Sequence, residues 1–203
     1  AKRGVEWKMR KTIDARGLTC PQPVVLTKKA LEEEEISEVL TIVDNSNALE
    51  NVSRLAQTLK LECKVDEKEG NYYIDIWKGE SSDNLSLAEN SYSNTVVLIS
   101  GNVLGRGDDK LGALLMKNFI YTLTQVEGAV KSLIFMNGGV LLSTEGSEVL
   151  EQIRLLEESG VEVLSCGTCL DSFQLSDKLR VGITTNMYTI VERLNGAARV
   201  ITL

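Results

Sequence analysis

Cysteine thiols are the side chains of this sequence that could do covalent chemistry. The chain has 203 residues, including four cysteines and no histidine. The absence of histidine removes the commonest general base and the usual partner of a catalytic serine or cysteine. A reactive thiolate would therefore need another source of stabilisation, such as the N-terminus of a helix. The four cysteines are Cys20, Cys63, Cys166 and Cys169.

Cys20 lies in GLTCPQPVV, residues 17–25, which contains both prolines of the chain. Proline suits the first turn of a helix, because an N–H group there has no acceptor within the helix. The residue before a proline is pushed toward the extended geometry of an N-cap. We therefore predict that Cys20 caps a helix over about 21–34, with Pro21 and Pro23 at its first and third positions.

This predicted geometry holds the sulfur of Cys20 at the positive end of a helix, with the N–H of Gln22 as the nearest donor. An anion at that position gains about 0.5–2 kcal/mol. The position would favour a thiolate, and a persulfide more strongly. The alternative is that the CPQP segment only begins a helix and that Cys20 is a small capping residue.

Cys166 and Cys169 lie in VLSCGTCLDSF, residues 163–173, just after a predicted strand and on either side of Gly167. A thioredoxin-type dithiol would need a proline in a later loop, and no proline follows Pro23. A zinc site would need four ligands, and the other two cysteines are isolated singles. We expect Cys166 to be buried at the strand end. We expect Cys169 to be the reactive thiol, because it is closer to the N-terminal field of the next helical segment.

A second strand end offers groups that could complete the site around Cys169. Asn137, Gly138 and Gly139 follow another predicted strand. Ligands and active groups gather at the carboxyl ends of parallel strands. We expect these three residues to line a pocket beside Cys169, and a simple tight turn is the alternative.

Two further features have a structural explanation. Cys63 stands in an alternating stretch typical of a strand, and a free cysteine there is most often part of the core. The loop GNVLGRGDDKLG, residues 101–112, lacks the Gly-Lys-Ser/Thr end of a phosphate-binding loop. Asp108 and Asp109 are predicted to cap the following helix, which argues against nucleotide binding.

The first half of the chain has the pattern of a small α/β domain. A capping box of Asn47 and Glu50 predicts the start of a second helix after the one at Cys20. The order β-α-β-α-β-β predicts a two-layer sandwich. Its strands are predicted over 12–14, 37–44, 61–66 and 72–77.

The second half alternates strands and helices. Its apolar runs are typical of buried parallel strands, so we predict an open, mainly parallel sheet with helices on both faces. Leu111, Leu115, Phe119 and Leu123 have helical spacing and predict a helix after the loop 101–112. Strands are predicted over 95–100, 132–137, 161–165 and 198–203, and further helices over 147–159 and 186–194. The second of these helices begins with Asn186, Met187 and Tyr188.

The composition sets the domain boundaries and excludes some partners. Residues 80–94 are rich in serine, asparagine and acids, which predicts a linker between a domain over 1–79 and one over 95–203. The net charge of −7 argues against direct nucleic-acid binding. No apolar run approaches the ~20 residues of a membrane span, and the first nine residues lack the apolar core of a signal peptide. We expect a cytoplasmic protein without a membrane partner.

The segment around Cys20, DARGLTCPQPVVLTKKAL (residues 14–31), resembles the CPxP signature of the TusA/SirA family of small sulfur carriers. The predicted element order over residues 12–77 is similar to that family's two-layer fold. The resemblance implies that Cys20 carries a persulfide, which it receives from a cysteine desulfurase-type donor and passes to an acceptor protein. No other cofactor is implied.

Residues 95–203 resemble the DsrE/DsrF-like family in CGTCLD (166–171), FMNGGV (135–140) and GITTNMYTIVE (182–192). That resemblance implies a cysteine at this strand end in sulfur relay, and homo-oligomers formed through this domain. The two domains in this order resemble YedF-type proteins, which are sulfurtransferase-like and linked to selenium metabolism. Two alternatives stay open: a non-enzymatic partner-binding or regulatory protein, and a dithiol oxidoreductase that uses Cys166 and Cys169.

Overall fold

The computed structural model describes residues 9–78, 94–126 and 128–203. The chain divides into two compact units, Ala1–Ser86 and Leu87–Leu203, here called unit 1 and unit 2. The predicted linker lies outside the described residues except for Asn94. The Asn94 side chain donates to the carbonyl oxygen of Gly196 over 2.6 Å and so belongs to unit 2.

Unit 1 is a sheet of four strands covered by two helices on one face. Its sheet order is β1-β2-β4-β3; β1 and β2 run parallel, and the other neighbours are antiparallel. This confirms the predicted β-α-β-α-β-β sandwich. The elements are β1 (Met9–Asp14), α1 (Gln22–Glu32), β2 (Ile36–Val43), α2 (Ser46–Thr58), β3 (Glu62–Lys68) and β4 (Asn71–Trp77).

The core of unit 1 is built from alternate residues of the strands. Val39, Thr41 and Val43 of β2 are buried because they point at the helices, while the residues between them are only half-buried. The Thr27 hydroxyl donates to the Pro23 carbonyl oxygen over 2.7 Å and lies 2.8 Å from the Thr41 hydroxyl. Thr41 is therefore the donor in the second contact, which ties the first turns of α1 to the middle of β2.

Local chemistry sets the boundaries of the other elements. The N-cap of α2 is Asn45, whose side-chain oxygen accepts from the N–H of Ala48 over 2.8 Å. The predicted cap at Asn47 is therefore wrong, because that residue already lies inside the first turn. Glu69 and Gly70 both have positive φ, 52° and 74°, which suits a two-residue hairpin between β3 and β4.

Unit 2 contains an all-parallel sheet of five strands in the order β8-β7-β6-β5-β9. A 3₁₀ helix, Asn137–Leu142, follows β6. Four of these strands were predicted from the sequence, and β8, which has only three residues, was not. The elements are β5 (Thr95–Ile99), α3 (Asp109–Leu123), β6 (Ser132–Phe135), α4 (Leu150–Glu158), β7 (Glu162–Cys166), α5 (Gly167–Ser172), β8 (Ile183–Thr185), α6 (Met187–Gly196) and β9 (Arg199–Thr202).

Helices cover both faces of this sheet, as predicted. Val97, Ile99, Leu133 and Phe135 pack with residues of α3 and α4 on one face. The hydrophobic cluster on the opposite face is smaller, and its strand residues pack against Ile190 of α6. They are Val96, Ile134, Leu164 and Cys166.

Helix α3 forms where the sequence predicts it, and its residues Phe119 and Leu123 pack against the core. Gly112, Met116 and Ile120 are buried, whereas Leu111 and Leu115 are 54% and 41% exposed. Gly112 faces inward because a Cβ there would lie 3.0 Å from Cβ of Val103 and 3.2 Å from the Leu104 carbonyl oxygen. The preceding loop therefore fits only against a helix face that has no side chain at this position.

In the described part of the chain, every helix is too short or too polar to cross a bilayer.

Candidate functional site

Cys20 lies in a groove of about 240 Å³ between the start of α1 and the first turns of α2. Its side chain is exposed. Both helices therefore present their N-terminal ends to the groove that holds the sulfur. The groove is lined by Leu18, Thr19, Cys20, Pro23, Val24, Asn45, Asn47, Ala48 and Asn51.

The start of α1 differs from the prediction by one residue. Pro21 is the N-cap, since its carbonyl oxygen accepts the first helical hydrogen bond from Val25 over 3.1 Å. Cys20 therefore precedes the cap, and Pro23 is the second helical residue. The Gln22 N–H, predicted as the donor nearest the sulfur, instead donates to the Thr19 carbonyl oxygen over 3.0 Å. The peptide bond between Cys20 and Pro21 is cis.

The donor that contacts the sulfur comes from the other helix. The Asn51 side-chain amide donates to Cys20 Sγ over 3.7 Å, within the longer range of hydrogen bonds to sulfur. Asn47 and Asn51 are four residues apart on α2, so they share one face of that helix, and both line the groove. Asn51 was not among the residues predicted from the sequence. Its signal was a pair of amides at helical spacing in a helix that follows the CPQP segment.

Hydrogen bonds fix the loop that leads to Cys20. The N–H of Gly17, whose φ is 72°, donates to Asp44 Oδ2 over 2.7 Å. The side-chain amide of Asn45 and then this N–H lower the pKa of Asp44 below its ordinary value of 3.8. The hydrogen bond from the Arg16 side chain lowers the pKa of Asp14 to about 2. Both carboxylates therefore stay charged at neutral pH and hold the loop.

Unit 2 brings Cys166 and Cys169 together at the carboxyl edge of its sheet. Cys166 ends β7, is 3% exposed and is the N-cap residue of α5. Cys169, half-buried, is the third residue of α5 and packs against the cluster that contains Cys166. The backbone N–H of Asn137 donates to Cys169 Sγ over 3.1 Å. This contact brings Asn137 to Cys169, as predicted, at the ends of the neighbouring strands β6 and β7.

The surroundings of Cys169 favour the neutral thiol. Burial raises the pKa of Cys169 above its ordinary value of 9.0, the neighbouring Cys166 thiol raises it further, and the N–H of Asn137 only partly opposes them. This raised pKa gives no support to the expectation that the N-terminal field of α5 activates the Cys169 thiol.

Glycines allow the strand ends to approach closely at this site. A Cβ on Gly139 would lie 2.1 Å from the carbonyl oxygen of Ile99, so no side chain fits there. A Cβ on Gly138 would lie 3.8 Å from the Asn102 backbone nitrogen, an ordinary contact. Gly167 is tighter, because its Cβ would lie 3.1 Å from Thr184 Cγ2.

The remaining candidate residues have structural positions. Cys63 is half-buried and packs against the core of unit 1. The Asp108 side chain caps α3 by accepting from the Leu111 N–H over 2.7 Å. The Asn186 side chain caps α6, and the next two residues, Met187 and Tyr188, are exposed.

Sequence comparison gives relatives for the first part of the chain. The model of the family described as sulfurtransferase TusA matches residues 11–78. Three relatives bear the name "Putative sulfur carrier protein". Those of Methanocaldococcus jannaschii and Bacillus subtilis (YrkI) are 50% identical over 48 residues and 49% over 35, which are 23% and 17% of this chain. The chain spans only 64% and 47% of their lengths. The third, from Archaeoglobus fulgidus, is 39% identical over 54 residues, which are 24% of this chain and 70% of the relative.

Some solved structures are similar to part of the chain. A SirA-like protein from Desulfitobacterium hafniense is 36% identical and covers 36% of this chain and 100% of its own, with a TM-score of 0.33. The ychN protein of E. coli is 18% identical and covers 54% of this chain and 99% of its own, with a TM-score of 0.44. Through its first unit, which places the cysteine of the CPQP segment in an exposed groove, the chain belongs to the TusA family of sulfur carriers.

Proposed function

We propose that this chain carries sulfur as a persulfide on Cys20, between a cysteine desulfurase-type donor and an acceptor protein. The proposal is based on the exposed Cys20 sulfur, which lies in a groove between the N-terminal ends of two helices and accepts a hydrogen bond from the Asn51 amide. These groups stabilise negative charge, which both a thiolate and a persulfide bear.

The transfer is a thiol–persulfide exchange. The Cys20 thiolate attacks the outer sulfur of the donor's persulfide, so one S–S bond forms and one breaks, and the donor leaves as a thiol. The new S–S bond extends the side chain by about 2 Å. Asn47 and Asn51 line the groove that would receive the outer sulfur. An acceptor thiolate removes that sulfur by the same exchange in reverse.

Intact-mass measurement tests this proposal directly. Wild-type protein incubated with a cysteine desulfurase and cysteine should gain the mass of one sulfur atom, and this gain should disappear on reduction. Cys20→Ala should abolish it, and Cys63→Ala, which changes a half-buried cysteine of the same unit, should retain it. A wild-type chain that gains no sulfur, or a Cys20→Ala chain that gains as much as wild type, would refute the carrier function.

We also propose that unit 2 is a DsrE/DsrF-like domain with Cys169 as a second sulfur site, in a YedF-type chain that handles sulfur or selenium. The domains would extend over 1–79 and 95–203. The support is the pair of thiols at the carboxyl edge of a parallel sheet. Labelled sulfur placed on Cys20 should appear on Cys169 in a Cys166→Ala chain, and labelled selenium delivered by a cysteine desulfurase-type donor from selenocysteine should follow the same route if selenium is the cargo.

We further propose that unit 2 forms homo-oligomers. Its helix α3 exposes an apolar patch that consists of Leu111, Leu114 and Leu115, together with Leu141 from the 3₁₀ helix. Exposed apolar patches of this kind mark interaction surfaces.

A further inference from the structure

The two cysteines of unit 2 have the opposite accessibility to what a thioredoxin-type pair requires. In that arrangement the first cysteine is the exposed attacking thiol and the second is buried. Here Cys166, the first, is 3% exposed, and Cys169, the second, is half-buried. A sulfur donor in solution therefore reaches Cys169 first, and Cys166 can react only with a sulfur that Cys169 already holds.

The contacts of the pair suit this order. Residues three apart around a helix start lie on one face, and both cysteines belong to the same apolar cluster between β7 and α6. Cys166 occupies the N-cap position of α5 but its side chain makes no capping hydrogen bond. Its thiol is therefore not engaged in capping the helix and faces the cluster that contains Cys169.

We propose that Cys166 and Cys169 form a resolving pair that reduces sulfane sulfur to sulfide. Cys169 accepts the outer sulfur of a persulfide or polysulfide, and Cys166 then releases it. This inference rests on the proposed persulfide chemistry of unit 2. It assigns to unit 2 the reduction of sulfur to sulfide, whereas unit 1 is proposed only to carry sulfur.

The atoms and electrons of the two steps balance without a further oxidant. In the first, the Cys169 thiolate attacks the terminal sulfane sulfur of the donor, an S–Sγ bond forms, and the S–S bond of the donor breaks, so that a persulfide leaves as a thiol and a polysulfide leaves one sulfur atom shorter. In the second, the Cys166 thiolate attacks Sγ of Cys169, and a disulfide forms. The bond from Sγ to the transferred sulfur breaks, and that sulfur leaves as hydrogen sulfide. The sulfane sulfur gains two electrons, and the two thiols lose one each. A dithiol reductant would be needed only for a second turnover.

The surroundings predict which step is slow. Burial and the Cys166 thiol raise the pKa of Cys169, so little thiolate is present near neutral pH and the loading of Cys169 is slow. Below that pKa the thiolate fraction rises about tenfold for each pH unit. In a Cys166→Ala chain, the rate at which Cys169 gains sulfur should therefore rise by about that factor between pH 7 and pH 8.

The test uses the full chain with Cys20→Ser and Cys63→Ser, so that its outcome does not depend on the carrier cysteine. The reduced protein is mixed with inorganic tetrasulfide after removal of free thiols, and sulfide and intact mass are followed together. We expect about one equivalent of sulfide per chain. The protein should lose the mass of two hydrogen atoms, with a disulfide within one chain.

Variants of the pair separate the two steps. In the same background, Cys166→Ala should retain one added sulfur atom on Cys169 and release at least tenfold less sulfide, while Cys169→Ala should gain no sulfur and release none. Circular dichroism and thermal unfolding of Cys166→Ala check that the buried substitution leaves unit 2 folded. Sulfide release by Cys166→Ala at the rate of its parent would overturn the proposal, as would a stable persulfide without a disulfide in the parent. Neither result would affect the loading of Cys20 in the wild type.

Discussion

The amide of Asn51 is the group that this structure adds to the carrier cysteine. It donates to Cys20 Sγ from α2, whereas the residues around the CPQP segment use their N–H groups within their own turn. The anionic sulfur of a persulfide would thus depend on a side chain 31 residues away in the sequence. Asn51 is a positioning residue for the proposed transfer, and it also lowers the energy of the charged form.

Asn51→Ala should shorten the lifetime of the Cys20 persulfide. Loss of one hydrogen bond to an anionic sulfur, at the long distance seen here, costs about 1 kcal/mol, which is about fivefold in rate. Asn51→Asp has nearly the same shape but places a second negative charge beside the sulfur, so its effect should be larger. The measurement is the decay of the mass-shifted species after the donor is removed.

Gln57→Ala is the control for that experiment, because it changes an exposed residue of the same helix outside the groove. It should leave the decay rate unchanged. A persulfide that decays equally fast in wild type, Asn51→Ala and Asn51→Asp would show that the amide plays no part in holding the sulfur.

At the scale of elements, the approach of β6 to β5 at their carboxyl ends shapes the site in unit 2. The Ile99 carbonyl oxygen accepts from the Met136 N–H over 2.9 Å, and Gly139 folds over the same oxygen. This close packing sets the start of the 3₁₀ helix and brings the N–H of Asn137 to Cys169. The residue that contacts the thiol is therefore positioned by a glycine two residues later.

Gly139→Ala should destabilise unit 2 by about 2–4 kcal/mol, because its Cβ would overlap a carbonyl oxygen that is fixed in the backbone. Urea unfolding followed by a probe in unit 2 measures the change. Gly196→Ala, at the end of α6, is the matched control, since its Cβ would meet nothing within 4 Å. It should be neutral or stabilising by up to about 1 kcal/mol. Equal midpoints for the two variants would contradict the packing argument.

The sequence predicted those elements that have a strong period of their own. The strands of unit 1 and four strands of unit 2 have clear apolar patterns, and both sheets formed as expected. It missed β8, whose three residues ITT bury little and are held mainly by their pairing with β7. It also did not reveal that Gly112 belongs to the buried face of α3, because the contact at Gly112 depends on a loop whose path has no periodic signal.

The sites were predictable to a similar degree. The cysteines, and the proximity of Asn137 to Cys169, follow from residue type and from strand ends meeting at one edge. The contact between Asn51 and Cys20 does not follow from the sequence, because it depends on how α1 and α2 pack side by side on one face of the sheet. The burial that raises the pKa of Cys169 likewise depends on tertiary packing, which a motif of four residues cannot reveal.

At the scale of the whole molecule, each unit has a hydrophobic core and a cysteine site of its own. The chain carries a net charge of −7, which suits protein partners better than nucleic acid. The apolar side chains that unit 2 exposes include those of the α3 patch defined above. Leu114 and Leu141 of this patch also line a cavity of about 560 Å³ between α3 and the segment 141–149.

If the α3 patch joins copies of the chain, adding charge to it should separate them. Leu111 and Leu115 are exposed, so the double variant Leu111→Glu, Leu115→Glu should fold normally and lose little stability. Light scattering after size-exclusion chromatography should give a multiple of 22.3 kDa for wild type and about one chain mass for the variant. Leu26→Glu, which changes an exposed leucine of unit 1, should leave the wild-type mass unchanged. A wild-type chain that elutes as a monomer at every concentration would show that the α3 patch does not join copies of the chain. A charged double variant that still assembles would place the interface elsewhere on the molecule.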